Sequence, residues 1–234
     1  QLGALLGGVD DSGKGVAGVE SMENSALTGT DGYVIYQQGN GGEEIPGTLT
    51  GSQEAVNGSD VALTLDHDVD WYVKQALLEG QKKTKATWAM AVVQDIQTGE
   101  ILALEDTDEY QAGSDQAKLN ASRAVSESFE PGSVGKVITM SGLLQTGLHK
   151  ATDKFTVPYS YTKDGQEYHD SSVHGDEHWT LAGIIKNSSN VGVVMASSQY
   201  TKKQRYEYLT KFGIGQSSGM SIPGESRGPV SYTH

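Results

Sequence analysis

Phe129-Glu130-Pro131-Gly132-Ser133-Val134-Gly135-Lys136 is the stretch on which the reading of this chain turns. Pro131 and Gly132 break whatever precedes them. Beyond them Val137, Met140, Leu143 and Leu144 recur as one apolar face until Gly147, a residue suited to a helix stop. Ser133 and Lys136 therefore fall three positions apart at a helix start, on one face, where an amine reaches a hydroxyl. A serine hydroxyl is a poor nucleophile near neutral pH, and a lysine serves as its base only where burial or neighbouring cations lower its pKa. The helix N-terminus favours negative charge developing on an attacked carbonyl oxygen. Alone, Ser-x-x-Lys is a common spacing whose ordinary meaning is a helix cap beside a surface lysine. A phosphate-binding loop is excluded: Glu130 stands in place of its first glycine and Val137 in place of its magnesium-binding Ser or Thr.

Further along, Thr180 to Lys186 and Val191 to Ser197 read as two helical pieces interrupted by Asn187-Ser188-Ser189-Asn190, residues that favour caps and turns over helix interiors. Placed in one cleft with Ser133, this corner would offer a hydroxyl to relay a proton and a carboxamide to hold a peptide-like backbone. His169, Asp170, His174, Asp176 and His178 invite a metal hypothesis. The spacing gives only His174 and His178 as a helical pair, with Gly175 between them, so the better reading is a polar loop with exposed histidines. No metal or other cofactor is expected. Asp66-His67-Asp68 and the acidic run at 105–109 read as solvated caps and loops, and Trp71, Trp88 and Trp179 as core or cleft-wall aromatics.

Outward from the centre, Val61 to Leu65 reads as a strand. Asp66 then caps an amphipathic helix marked by Val69, Val73, Ala76 and Leu77 and ending near Gly80. Thr87 to Val93 and Ile101 to Leu104 read as a hairpin joined through Gln97-Thr98-Gly99-Glu100, and Gln204 to Phe212 as a last helix closed by Gly213. Residues 1–58 differ in character, with clustered glycines, a strand-like Tyr33-Val34-Ile35-Tyr36 and turn formers at Gly39-Asn40-Gly41-Gly42. The expected organisation is a small β-rich piece at 1–58 and a helix-and-sheet domain at 59–234.

The 234 residues are 36% hydrophobic and 20% charged, the balance of a folded chain rather than a disordered one. Seventeen basic against thirty acidic residues give a formal charge of −13, which repels phosphate backbones and argues against nucleic acid as a partner. The absence of cysteine excludes disulfides, thiolate metal sites and cysteine catalysis. No stretch approaches the roughly 20 apolar residues needed to span a bilayer. The opening on Gln1 reads as a cut chain from which an anchor has been removed.

Taken together, these strings resemble the class B penicillin-binding proteins, which carry an N-terminal pedestal before a transpeptidase domain. The residues at 15–20 and 27–32 resemble the end of the pedestal. The string at 98–103 resembles the family's first hairpin, and Glu130-Pro131-Gly132-Ser133-x-x-Lys136 its approach to the nucleophile. Ser188-Ser189-Asn190-Val191-Gly192 resembles the second motif, and the strings at 212–215 and 222–228 the segments that come after that motif in the family. The resemblance implies an α+β penicillin-binding-protein or β-lactamase-like domain, here partial. In it Ser133 attacks the penultimate carbonyl of a stem peptide ending in D-Ala-D-Ala, Lys136 takes its proton, Ser188 passes a proton to the leaving D-alanine, and Asn190 holds the peptide. It further implies inhibition by β-lactams, partners in a cell-wall synthesis complex, and a place on the outer face of the bacterial cytoplasmic membrane. Rival readings are a β-lactamase, a β-lactam sensor and a non-catalytic wall-associated relative. The family's Lys-Thr/Ser-Gly motif does not occur after Asn190, so these 234 residues alone are expected to be catalytically impaired.

Overall fold

The structure, a computed structural model, describes residues 3–110, 114–115 and 120–230. The chain divides into two compact units, residues 1–127 with 220–226, and 128–219 with 227–234.

In the first unit short elements come first: α1 (Gly3–Leu6), β1 (Gly8–Val9), β2 (Gly15–Ala17), α2 (Gly18–Met22) and α3 (Asn24–Leu27). An exposed antiparallel pair comes next, β3 (Tyr33–Ile35) with β4 (Gly51–Gln53). Asp66 caps α4 (His67–Thr84) as expected, its Oδ1 accepting from the amides of Asp68 at 2.9 Å and Val69 at 3.0 Å. The helix runs on through Gly80, since an exposed interior glycine costs only about 1 kcal/mol. It ends where Lys85 turns left-handed at φ 57°. The expected hairpin forms as β5 (Met90–Gln94) with β6 (Ile101–Asp106), Val92 facing Leu104. The short α5 (Arg123–Ser126) comes after that hairpin.

Two expectations fail in this unit. Val61 to Leu65 does not join a strand ladder; it is tied to β6 by the Thr64 hydroxyl donating to the Ile101 carbonyl and the Asp66 amide donating to that of Leu102. Trp71 is exposed, edge-on to Tyr72, while Asp70 and Lys74 are the buried residues of α4. A charged face is tolerable there because β6 answers it. Lys74 Nζ lies 3.2 Å from Glu105 Oε2 and donates to the carbonyls of Asp106 and Asp108. Leu5, near the start of the chain, shares one core with Leu104 and Val125.

Burial pushes the Glu105 carboxyl up to about 7, against the pull of Lys74 and with help from the neighbouring Asp70 carboxylate. A carboxyl whose pKa is raised by folding stabilises the fold while protonated, and that contribution is lost as pH rises through the folded value. The melting temperature should therefore fall between about pH 4.5 and 7, and in Glu105→Gln that part of the pH dependence should disappear. A thermal-denaturation series across this range checks both slopes.

The second unit begins with a single 3₁₀ turn (Gly132–Val134) running into α6 (Gly135–Gln145). Strands β7 (Lys154–Val157), β8 (Ser160–Lys163), β9 (Gln166–His169) and β10 (Glu177–Thr180) come next, then α7 (Leu181–Lys186), α8 (Asn190–Ala196) and α9 (Lys202–Lys211). β7 pairs antiparallel with β10. β8 and β9 form a tight hairpin turned by Asp164 and Gly165, both at positive φ, the geometry that Asp-Gly favours. Met140, Leu143, Val157, Leu181, Ile184, Val191, Ala196 and Tyr200 form one core that locks α6, α7 and α8 together. Of the apolar face expected on α6, Met140 and Leu143 are buried, but Val137 and Leu144 are exposed. Gly142 explains the rotation: a Cβ there would meet the Tyr200 hydroxyl at 2.1 Å, so the helix presses its glycine side inward. Among the described residues every strand pair is antiparallel, and runs of strands are followed by runs of helices, in keeping with the expected α+β class.

Candidate active site

Ser133 sits at the centre of the 3₁₀ turn, exposed, immediately before α6. Pro131 and a left-handed Gly132 (φ 56°) turn the chain so that the serine leads the helix instead of lying within it. Lys136, one turn on, is half-buried. Its side chain crosses to the corner between α7 and α8, 52 residues later, where Nζ donates to the Ser188 carbonyl and lies 3.2 Å from Ser188 Oγ. Ser188 Oγ in turn donates to Ser133 Oγ at 3.0 Å. The three side chains thus form a continuous chain, serine to serine to lysine. The spacing alone has Lys136 touch Ser133 directly; in the structure the hydrogen bonds run through Ser188, a hydroxyl that both donates and accepts.

The corner has a local physical cause. α7 is closed by the Ser188 amide donating to the Ile185 carbonyl and the Ser189 amide to that of Ile184, with Ser188 in the left-handed region at φ 53°. Glycine is the usual residue there, because a side chain costs on the order of 1 kcal/mol. The serine places a hydroxyl where glycine would place none. Ser189 then caps α8, its Oγ accepting from the Gly192 amide at 2.8 Å. Asn190 is exposed at the start of α8, with Nδ2 donating to the His169 carbonyl at 3.0 Å.

Burial lowers the Lys136 pKa, and the charge of Asp170 works in the opposite direction without cancelling the effect. That is the shift a lysine needs to act as a base. Asp170 is itself buried. Burial alone would raise its pKa, but bonds donated by Ser189, Val191, His174 and Asn190 outweigh that and hold the carboxyl below the usual range.

The histidines fall elsewhere. His174 bonds Asp170, His178 bonds Thr156, and His169 bonds the Asp170 carbonyl. Among the described residues no group of three or more His, Asp or Glu side chains is placed to hold a metal ion. Trp179 packs on the core beside His174. Sequence reasoning did not find Asp170 or Ser189 as parts of this site. Ser189 carried one usable signal, its place directly before a helix; Asp170 carried only its place in the cluster with His169, His174, Asp176 and His178.

The arrangement supplies an exposed hydroxyl at a helix start, a proton path to an amine of lowered pKa, and a carboxamide beside them. Known proteins resemble this chain along most of its length. Residues 89–233 match the model of the penicillin-binding-protein transpeptidase domain. The chain is 61% identical to a peptidoglycan synthetase structure from Bifidobacterium adolescentis ATCC 15703, with a TM-score of 0.89, covering 98% of this chain and 42% of that one. It is 35% identical to penicillin-binding protein 3 of Mycobacterium tuberculosis solved with ampicillin, with a TM-score of 0.81, covering 98% and 49%. It is 30% identical to the peptidoglycan D,D-transpeptidase FtsI of Buchnera aphidicola subsp. Schizaphis graminum, covering 97% of this chain and 40% of that protein. The chain therefore spans less than half the length of each.

Proposed function

The chain belongs to the penicillin-binding-protein transpeptidase family, and from that premise we propose that the protein containing it is a serine D,D-transpeptidase cross-linking peptidoglycan stem peptides through Ser133. The observation that carries the reading is the hydrogen-bonded chain Ser133–Ser188–Lys136, assembled from positions 52 and 55 residues apart. A structural cap would have no need of it.

In the first step Ser133 Oγ attacks the carbonyl carbon of the penultimate D-alanine while its proton passes toward Lys136, directly or through Ser188. The new C–O bond forms, the C–N bond breaks, and the proton returns to the amine of the departing D-alanine. The Ser133 amide, at the start of α6, faces the developing oxyanion. Asn190 holds the peptide backbone. In the second step an amine of a neighbouring stem attacks the ester, and Ser133 leaves with its proton restored. A β-lactam enters by the first step, but its leaving amine stays tethered and blocks the second.

The related Mycobacterium tuberculosis protein solved with ampicillin supports β-lactam binding at this site. Lys-Thr-Gly or Lys-Ser-Gly occurs nowhere in these 234 residues, so activity belongs to the protein that contains them. In this reading residues 1–58 are the end of a pedestal and 59–234 the first part of the catalytic domain. The protein works on the outer face of the cytoplasmic membrane, held there by an anchor outside this chain, alongside other proteins of wall synthesis. No helix among the described residues is long and apolar enough to cross a membrane.

The test is product analysis with the intact protein. A stem-peptide donor ending in D-Ala-D-Ala plus an amine acceptor should give free D-alanine and a cross-linked peptide, while a chromogenic β-lactam should be consumed about once per enzyme. Repeated β-lactam turnover without a cross-linked product would make it a hydrolase instead.

A further inference from the structure

We infer that Asp170, although it touches no substrate, is the positioning residue that holds the Ser188–Asn190 corner against Ser133; the inference rests on the transpeptidase reading above.

Its carboxylate is 6% exposed and fully engaged. Oδ2 accepts from Ser189 Oγ at 2.7 Å and lies 3.0 Å from His174 Nε2; Oδ1 accepts from the Val191 amide at 3.0 Å. Its own amide donates to the Tyr159 carbonyl, and its neighbour His169 offers the carbonyl that Asn190 grips. One carboxylate thus binds Ser189 and Val191, both immediately after Ser188, together with His174. Ser188 is held in a left-handed conformation that a serine adopts only when its surroundings over-determine it. Without those bonds the corner would relax, and the Ser188 hydroxyl and carbonyl would leave Ser133 and Lys136.

Bonded to Asp170 are the Ser189–Val191 segment at the start of α8 and His174 on the loop before β10; its charge also acts on Lys136 of α6, and Glu177 acts on His174 from its strand. The Gly175 carbonyl and the Asp170 carboxylate raise the pKa of His174, so when it is protonated at lower pH it offsets part of the Asp170 charge. Removing the Asp170 charge frees Lys136 to lose its proton at lower pH.

Two signatures of opposite sense are expected for Asp170→Asn in the intact protein, read by penicillin acylation. The maximal rate should fall about 10²-fold through misplacement of the corner. The rising limb of the pH–rate profile should move to lower pH, and should do so equally in a His174→Gln background, which keeps a donor but removes that titration. Asp170→Glu restores the charge on a longer arm, so it should return the limb to its original position while the rate stays low. Ser189→Ala, which keeps the charge, should slow acylation and leave the limb in place. If Asp170→Asn and Ser189→Ala both acylate within about twofold of the unaltered protein, with the limb unmoved, the inference is overturned. A slow Asp170→Asn whose limb stays fixed would reduce Asp170 to a purely structural role. If the unaltered protein takes up no penicillin, the transpeptidase reading fails first, and this inference with it.

Discussion

Ser133→Ala is expected to lose penicillin capture by more than about 10³-fold, a barrier increase of about 4 kcal/mol, without a fall in melting temperature. The side chain is exposed and contributes nothing to the core, so its removal leaves the fold intact. Loss of capture is a sharp expectation, because Ser188 Oγ lies only 3.0 Å from Ser133 Oγ and within reach of the lysine. A second hydroxyl is at hand. It should not substitute, since it lies at the closed end of α7, where carbonyls rather than amides point outward, whereas Ser133 opens α6 with amides facing the attacked oxygen. Labelling with a fluorescent penicillin, followed by gel quantification, reads the difference directly.

Lys136→Met is the second large effect. Methionine fills much of the space of the lysine stem but offers no amine, so acylation should slow by about 10²- to 10⁴-fold, the usual contribution of a positioned general base. The pH profile adds a sign. Because burial lowers the lysine pKa, the unaltered protein should acylate faster as pH rises through that lowered value, as neutral amine accumulates. In Lys136→Met the rising limb should be absent, since among the described residues no other amine bonds Ser133 or Ser188. A limb that survives in the variant would assign the base elsewhere.

The parts legible in the sequence were those governed by neighbours along the chain. Asp66 announced a helix start, Thr98-Gly99 a hairpin, and Pro131-Gly132 the turn that presents Ser133. The run from Asn187 to Asn190 broke a helical pattern just where the structure bends. What was not legible depended on partners far away in sequence. The burial of Lys74 depends on β6, which supplies Glu105 and two carbonyls, and Trp71 reads as core or cleft wall until that charged face takes the inward side. Val61 to Leu65 has the composition of a strand but lacks a ladder. Asp170 lies after β9 with no periodicity around it, and only the folded corner reveals the donors that converge on it. The shared core of Leu5, Leu104 and Val125 is likewise a long-range fact, since its members lie far apart in sequence.

In the proposed mechanism one atom, Ser133 Oγ, takes the covalent bond, while Ser188 and Lys136 handle the proton. The most direct measurement is peptide mapping by tandem mass spectrometry of the intact protein after penicillin treatment. The prediction is a mass gain equal to the whole β-lactam, carried by Ser133 alone; a modified Ser188, or a protein that gains no mass, would contradict it.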